Sequence, residues 1–405
     1  MQEVKYNYQN IVCEVSENEV VIENRNLFLS TSEYDCVVLL EKEGKLIKKA
    51  LLMTDVSPLS RESYKLPFEV PKKSGEYVVT VSFKLKEDTL WATRGHEVAY
   101  GQAVVGHLEV KEKSHKSLTV VDGWHNIGIR GDEFEVIFSR IHGGLASYKY
   151  GGEQMFKTMP KPNFWRAMTE NDNANLLPFR AGQWKVASMW PSIKYEDGRR
   201  ATNYEIIKHP NHVEVRYTYH LPTKPAVDCT LAYEVYGDGE IEVTLTLPPS
   251  ANIGELPELS VVFGMDAEFD RVKWYGLGPE ETYPDRKRAK LGVYQNKVAE
   301  NMARYLVPQE CGSKQEVRYA QITNAKGRGL LFRCNNLAFS ALPYSVHEMD
   351  NATHPTELPQ PHFTFVRVGK QMGIAGDDTW GAKTHPEYMI DNSKEMKITF
   401  SFQGL

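Results

Sequence analysis

The chain is 405 residues long, 41% apolar and 11% aromatic, with a formal net charge of −5. One hydrophobic core rarely serves more than roughly 250–300 residues, so the length predicts at least two domains. The mild acidic balance gives no footing for nucleic-acid binding, which needs a strongly basic face, and no apolar run approaches the ~18 residues of a membrane-crossing helix. The first ten residues, Met1–Asn10, are polar and lack the apolar core of a signal peptide, which bears on targeting only if the chain is not a piece of something longer. Five cysteines, Cys13, Cys36, Cys229, Cys311 and Cys334, are odd in number and never spaced C-x-x-C. They are expected as reduced thiols of a cytoplasmic protein, with neither a disulfide framework nor a zinc site.

Residues 1–105 read as all-β. Tyr77, Val79, Val81, Phe83 and Leu85 alternate with Val78, Thr80, Ser82 and Lys84, the period of a strand with one buried face. Short apolar runs at Ile11–Val15, Val20–Glu23 and Val37–Leu40 are separated by turn-prone segments. Strands at this density over about 100 residues predict an immunoglobulin-like β-sandwich. Over 106–122 the composition shifts to Lys111, Glu112, Lys113 and Lys116, which marks a linker. Residues 123–405 are again β-rich: Val213, Val215, Tyr217 and Tyr219 alternate, as do Ile241, Val243, Leu245 and Leu247, and Met396, Ile398, Phe400 and Phe402. Gly237-Asp238-Gly239 between two such runs is a hairpin signal. No second linker interrupts this part, so one large sandwich is expected.

The phosphate-binding G-x-x-x-x-G-K-[ST], zinc-binding H-E-x-x-H and nucleophile-elbow G-x-S-x-G patterns do not occur. Paired acids occur at Asp377/Asp378, Glu280/Glu281 and Glu170/Asp172. Adjacent side chains on an extended backbone point to opposite faces, so turn and ion-pair roles are expected for them. Three stretches are denser in unusual residues. Asn163–Asn175, NFWRAMTENDNAN, reads as a strand end feeding a surface loop that continues through Leu176–Gly182. Trp274–Arg286, WYGLGPEETYPDR, couples glycines and a proline to Glu280, Tyr283, Asp285 and Arg286, a set suited to an Arg–carboxylate fork or to a polyol site. Gln371–Tyr388, QMGIAGDDTWGAKTHPEY, crowds Gly373, Gly376 and Gly381 around Asp377, Asp378 and Trp380. Glycines allow close approach and acids fix turns. The indole is then either the buried side of a structural turn or a platform for the flat face of a sugar.

Taken in order with YLVPQECGSKQEVRY (Tyr305–Tyr319) and LPYSVHEMDNATHPTELP (Leu342–Pro359), these stretches closely resemble the C-terminal part of the large bacterial β-galactosidases of glycoside hydrolase family 2. The resemblance spans nearly the whole chain and implies an all-β fold. The N-terminal sandwich is similar to that family's immunoglobulin-like fourth domain, and the part after the linker to its galactose-mutarotase-like β-supersandwich. It implies a retaining β-galactosidase acting on terminal galactosides such as lactose, with the catalytic glutamates on a TIM barrel outside this chain, so that the chain alone is expected to be inactive. It also implies that Trp380 lines the aglycone side of the active site, near loops holding Asp172, Asn173, Asp377 and Asp378. The barrel, on the same polypeptide or on a separate large subunit, is the expected partner, and the intact enzyme a homo-oligomer. No cofactor is expected here, with magnesium and sodium on the barrel. The alternatives are a carbohydrate-binding module and a mutarotase-like epimerase, for which His347 with Glu348 or Asp350 is the acid–base pair to inspect.

Overall fold

The computed structural model describes residues 1–109, 111–192, 195–196 and 200–201 (backbone alone in both pairs), 204–378 and 380–405. Thr379, within the Gly376–Trp380 motif, lies outside them. The described residues are dominated by β-strands and divide into two compact units. One comprises Met1–Lys111 with Leu277–Pro279 and Arg288–Val293; the other comprises Glu112–Gly276, Glu280–Lys287 and Tyr294–Leu405.

After a short helix α1 (Gln2–Asn7), residues 1–105 of the first unit supply seven strands: β1 (Ile11–Val15), β2 (Glu19–Asn24), β3 (Tyr34–Lys42), β4 (Lys45–Leu52), β5 (Ser60–Lys65), β6 (Tyr77–Leu85) and β7 (Glu97–Val105). They form a three-stranded sheet, β1-β2-β5, and a four-stranded sheet, β4-β3-β6-β7. Because alternate residues of a strand share a face, Ile11, Val20 and Ile22 of one sheet meet Val38, Leu40, Val79, Val81 and Phe83 of the other in one core. β6 departs from simple alternation, since Val78, Thr80 and Ser82 on its other face are buried as well. There Gln102 donates to Thr80 Oγ1 at 2.9 Å and exchanges two bonds with the backbone of Leu291, on the returning segment Arg288–Val293.

The second unit opens with a five-stranded sheet ordered β12-β11-β10-β9-β8, from β8 (Thr119–Asp122), β9 (Asn126–Arg130), β10 (Phe134–Ser139), β11 (Gly144–Tyr150) and β12 (Glu153–Gln154). β13 (Lys161–Asn163) starts the edge of a much larger sheet. Three helices follow, α2 (Glu170–Ala174), α3 (Leu177–Arg180) and α4 (Gly182–Met189), then the pair β14 (Tyr195–Glu196) and β15 (Arg200–Ala201). The remaining strands are β16 (Tyr204–Lys208), β17 (His212–Leu221), β18 (Val227–Tyr236), β19 (Ile241–Leu247), β20 (Glu258–Asp266), β21 (Arg271–Gly278), β22 (Lys290–Lys297), β23 (Lys314–Thr323), β24 (Gly329–Leu342), β25 (Phe363–Gln371) and β26 (Met396–Gly404), with α5 (Val346–Asn351) before β25. The main path runs β13-β20-β25-β24-β26-β19-β18-β17-β16. Inward residues of the five-stranded sheet pack on it: the Phe138 and Tyr233 ring centroids lie 5.3 Å apart, and those of Tyr148 and Phe402 lie 5.6 Å apart. An all-β chain of two sandwiches is thus what the residues build.

One expectation needs correction. Asp172 and Asn173, expected on a loop, lie in helix α2, and 177–189 is also largely helical. The cause is local. The Thr169 hydroxyl accepts from the Asp172 amide, and the Asp172 carboxylate accepts from the Thr169 amide, a reciprocal cap that starts a helix.

Candidate functional site

The Gln371–Tyr388 stretch leaves the end of β25 from a buried ionic base. Arg367 donates to Glu258 Oε2 at 2.7 Å and to Glu310 Oε1 at 2.6 Å, and Gln371 Nε2 donates to the same two oxygens at 3.0 Å each. All four side chains are buried. Burial pushes the Glu258 carboxyl up, against the pull of Arg367. From this base the chain runs out into a loop whose neck is closed by Gly373 N donating to Tyr388 O at 2.7 Å.

Two side chains from distant segments hold the loop's root. Arg166, wholly buried, donates to the carbonyls of Met372 and Gly373 at 2.9 Å each. Asp285 accepts from the amides of Ile374 and Ala375 at 3.0 Å each. A Cβ on residue 373 would come 2.7 Å from an Asp285 oxygen, so the approach needs glycine there. Further out, Asp378 Oδ1 accepts from the amides of Trp380 at 2.8 Å and Ala382 at 3.1 Å, the turn-fixing role short acids serve. Asp377 instead pairs with His385 Nε2 at 2.8 Å on the surface. That hydrogen bond, with the charges of Asp377 and Glu387, raises the His385 pKa.

The loop presents Trp380 with its side chain 88% exposed. The indole is therefore not the buried side of a structural turn. Trp is highly buried on average; Trp124 and Trp190 of this unit are exposed as well, and what sets Trp380 apart is that its open indole stands on a backbone fixed at several points. Leu176 and Phe179 are exposed too, next to the helix against which residue 381 packs.

The two acids of each pair have different surroundings, although none of the pairs lies in a strand. Asp172 pairs with Arg166 inside the protein, whereas Glu170 is exposed. Asn173 is exposed on α2. Glu281 receives bonds from Arg286, from Tyr305 at 2.8 Å, from Tyr283 at 3.1 Å and from the Gly312 amide at 2.8 Å. Burial opposes its ionisation, but the Gly312 amide, Arg286 and Tyr305 outweigh burial and hold its pKa below the ordinary carboxylate range. Within the Trp274–Arg286 stretch Arg286 thus meets Glu281 through one nitrogen and one oxygen, and the carboxylate ties the stretch to Tyr305 and Gly312. Around α5, Asp350 accepts from the Trp165 indole at 3.1 Å, the Met168 amide at 3.0 Å and Lys185 at 2.6 Å, while Glu348 caps the helix through the Ser345 amide. Both carboxylates beside His347 are occupied in structural bonds. Among the described residues no three His, Cys, Asp or Glu side chains gather as a metal-binding group. Sequence reasoning missed Arg166 and Asp285 as loop anchors; an Arg within the apolar run Phe164-Trp165-Arg166-Ala167 was the available hint, because a buried guanidinium requires partners.

Two family profiles match the chain: β-galactosidase small chain over residues 130–403, and β-galactosidase domain 4 over residues 20–106. A β-galactosidase of Halalkalibacterium halodurans is 38% identical over 99% of this chain and 40% of its own length. The β-galactosidase small subunit of Latilactobacillus sakei is 31% identical over 71% of this chain and 98% of its own length. A solved galactose 1-epimerase from Lactobacillus acidophilus NCFM aligns at a TM-score of 0.37 and 11% identity, over 72% of this chain and 99% of that one. The chain spans about two fifths of the length of the first curated relatives, at 40% and 39%.

Proposed function

Because the chain belongs to the β-galactosidase small-chain family, we propose that it completes a retaining β-galactosidase whose reacting carboxylates lie on a barrel outside these residues. In such an enzyme two carboxyl groups ~5–5.5 Å apart form and then hydrolyse a galactosyl-enzyme. This chain supplies a wall of the aglycone side. Trp380 stacks on the glucose of lactose, or on an acceptor sugar, while the leaving oxygen is protonated elsewhere. The barrel, as a separate large subunit or an upstream part of the same polypeptide, docks where Trp380, Leu176 and Phe179 stand open, and it carries the magnesium and sodium ions. The complete enzyme is cytoplasmic, a location supported by five cysteines that are all buried and unpaired by disulfides, and homo-oligomeric.

The observation that carries this reading is an indole 88% exposed on an anchored loop. An indole offers on the order of 150–250 Å² of contact at small entropic cost, which suits weak, exchangeable sugar contact. Binding at this non-reacting end assists the chemical step as well as affinity. The test uses nitrophenyl galactoside and lactose with the full chain alone and with the complementing part of the enzyme. The chain alone should turn over neither substrate, and the complete enzyme both. Trp380→Ala should impair the complete enzyme more with lactose than with nitrophenyl galactoside. Turnover by the pure chain, abolished by a single carboxylate substitution within it, would overturn the division of labour.

A further inference from the structure

Asn171 occupies the second position of α2 with 8% of its surface exposed. Its Nδ2 donates to the carbonyl of Ala382 at 2.8 Å, and its Oδ1 accepts from the amide of Gly381 at 3.2 Å. A carboxamide both donates and accepts, so Asn171 meets the backbone at 381–382 as a paired strand would. The Trp380 and Ala382 amides point instead to Asp378 Oδ1. The residue carrying the indole is therefore held at its own amide by Asp378, and the two residues that follow it are held by Asn171. Gly381 has φ +108°, and a Cβ there would lie 3.0 Å from the Ala174 carbonyl, so the loop rests directly on the helix backbone. The helix is itself fixed: Thr169 and Asp172 cap it, and Asp172 pairs with the same Arg166 that holds the loop's root.

We infer that Asn171 is a positioning residue, which sets the direction of the Trp380 indole and thereby the residence of a sugar on it. The inference rests on the reading of Trp380 as the aglycone and acceptor wall. Its consequence is a share between two fates of the galactosyl-enzyme. In transfer, an acceptor sugar hydroxyl oxygen forms the new bond to the anomeric carbon as the bond to the enzyme carboxylate breaks, and the hydroxyl proton passes to the general base. In hydrolysis, water takes the same path. An acceptor held longer on a correctly aimed indole wins more often, so loss of Asn171 shifts the share toward water.

The test uses the full chain labelled with ¹⁵N. In the wild type the Gly381 amide should be as rigid as the sheets, with an order parameter of roughly 0.85, and in Asn171→Ala it should fall below about 0.6. Asn171→Asp keeps the acceptor for Gly381 but sets an oxygen against the Ala382 carbonyl. It should loosen the same amide, and it carries the test if the alanine variant fails to fold. With the unlabelled complementing part of the enzyme added, the Trp380 indole N–H signal, identified by its loss in Trp380→Phe, should shift with lactose, and severalfold more lactose should be needed in either Asn171 variant. A rigid Gly381 amide in both variants overturns the inference, as does an unchanged lactose response. If Gly381 loosens but lactose leaves the wild-type indole signal unmoved, the clamp is upheld and the sugar reading beneath the inference is overturned.

Discussion

Arg166 and Asp172 face each other in parallel, Nε to Oδ2 at 3.2 Å and Nη2 to Oδ1 at 2.9 Å, with neither side chain more than 1% exposed. The remaining guanidinium bonds go to the root of the tryptophan loop, so the pair joins the start of α2 to the exit of β25. Breaking a buried pair by removing one partner strands a charge, at a cost of about 3–5 kcal/mol. Asp172→Ala should lower the unfolding free energy by that order in urea titrations, and Asp172→Asn by less, since an amide oxygen still accepts from Arg166.

Trp380 should behave in the opposite way. An exposed side chain away from any cap or pair changes stability by no more than about 0.5 kcal/mol, so Trp380→Ala should unfold at the wild-type midpoint. In the complete enzyme the same substitution should lower galactosyl transfer to added glucose roughly tenfold, equivalent to ~1.4 kcal/mol of lost sugar contact. Product analysis by chromatography, with transfer and hydrolysis counted separately, checks this.

Lys314 supplies a pH signature. It is 4% exposed, with Nζ 4.7 Å from the Trp274 ring centroid. Burial pushes its pKa down to about 8, against the pull of Glu281 and Glu280. An unfolded lysine titrates near ~10.4, so between these values the unfolded chain binds more protons and stability rises with pH. Compared with Lys314→Met, the wild type should gain about 3 kcal/mol between pH 8 and 10.4, with a flat difference below pH 7. Unfolding both proteins in urea across that range gives the difference directly.

Two glycines should respond with opposite signs. A Cβ on Gly101 in β7 would sit 2.3 Å from the Cys13 carbonyl oxygen of β1, where backbone must shift. Gly101→Ala should therefore cost about 1–3 kcal/mol. At Gly182, the first residue of α4, an added methyl would meet nothing within 4 Å, and alanine there should stabilise by roughly 0.4–1 kcal/mol. Thermal unfolding of the two variants side by side distinguishes them.

Where burial follows a period of two, the residues declared the fold in advance. Val213 to Tyr219, Ile241 to Leu247 and Ile398 to Phe402 all lie buried on their inward faces, and Gly237 to Gly239 turn between β18 and β19 as the hairpin signal required. α2 to α4 were not legible, because their helicity begins in a side-chain cap at Thr169 and covers too few residues for a 3.6-residue period to emerge. The second buried face of β6 was hidden for another reason: its cover comes from Arg288–Val293, far along the chain. At the candidate site, the glycines and acids around Trp380 announced a fixed turn. Which loop amides and carbonyls Arg166, Asn171 and Asp285 would hold was not legible, since hydrogen bonds between residues 89, 206 or 210 positions apart leave no local pattern.

The first unit is made from a discontinuous polypeptide. Gln102 and Leu291 satisfy each other's polar groups, Tyr100 donates to the Arg288 carbonyl, and Glu3 accepts from the Arg288 amide. Residues 1–111 excised as a module would keep seven strands yet bare a ledge around Thr80, Ser82 and Gln102 that is meant to be roofed. Shuffling this sandwich between proteins by a single cut would thus yield a sticky, half-finished piece, and any graft has to bring the distant six-residue lid along with it.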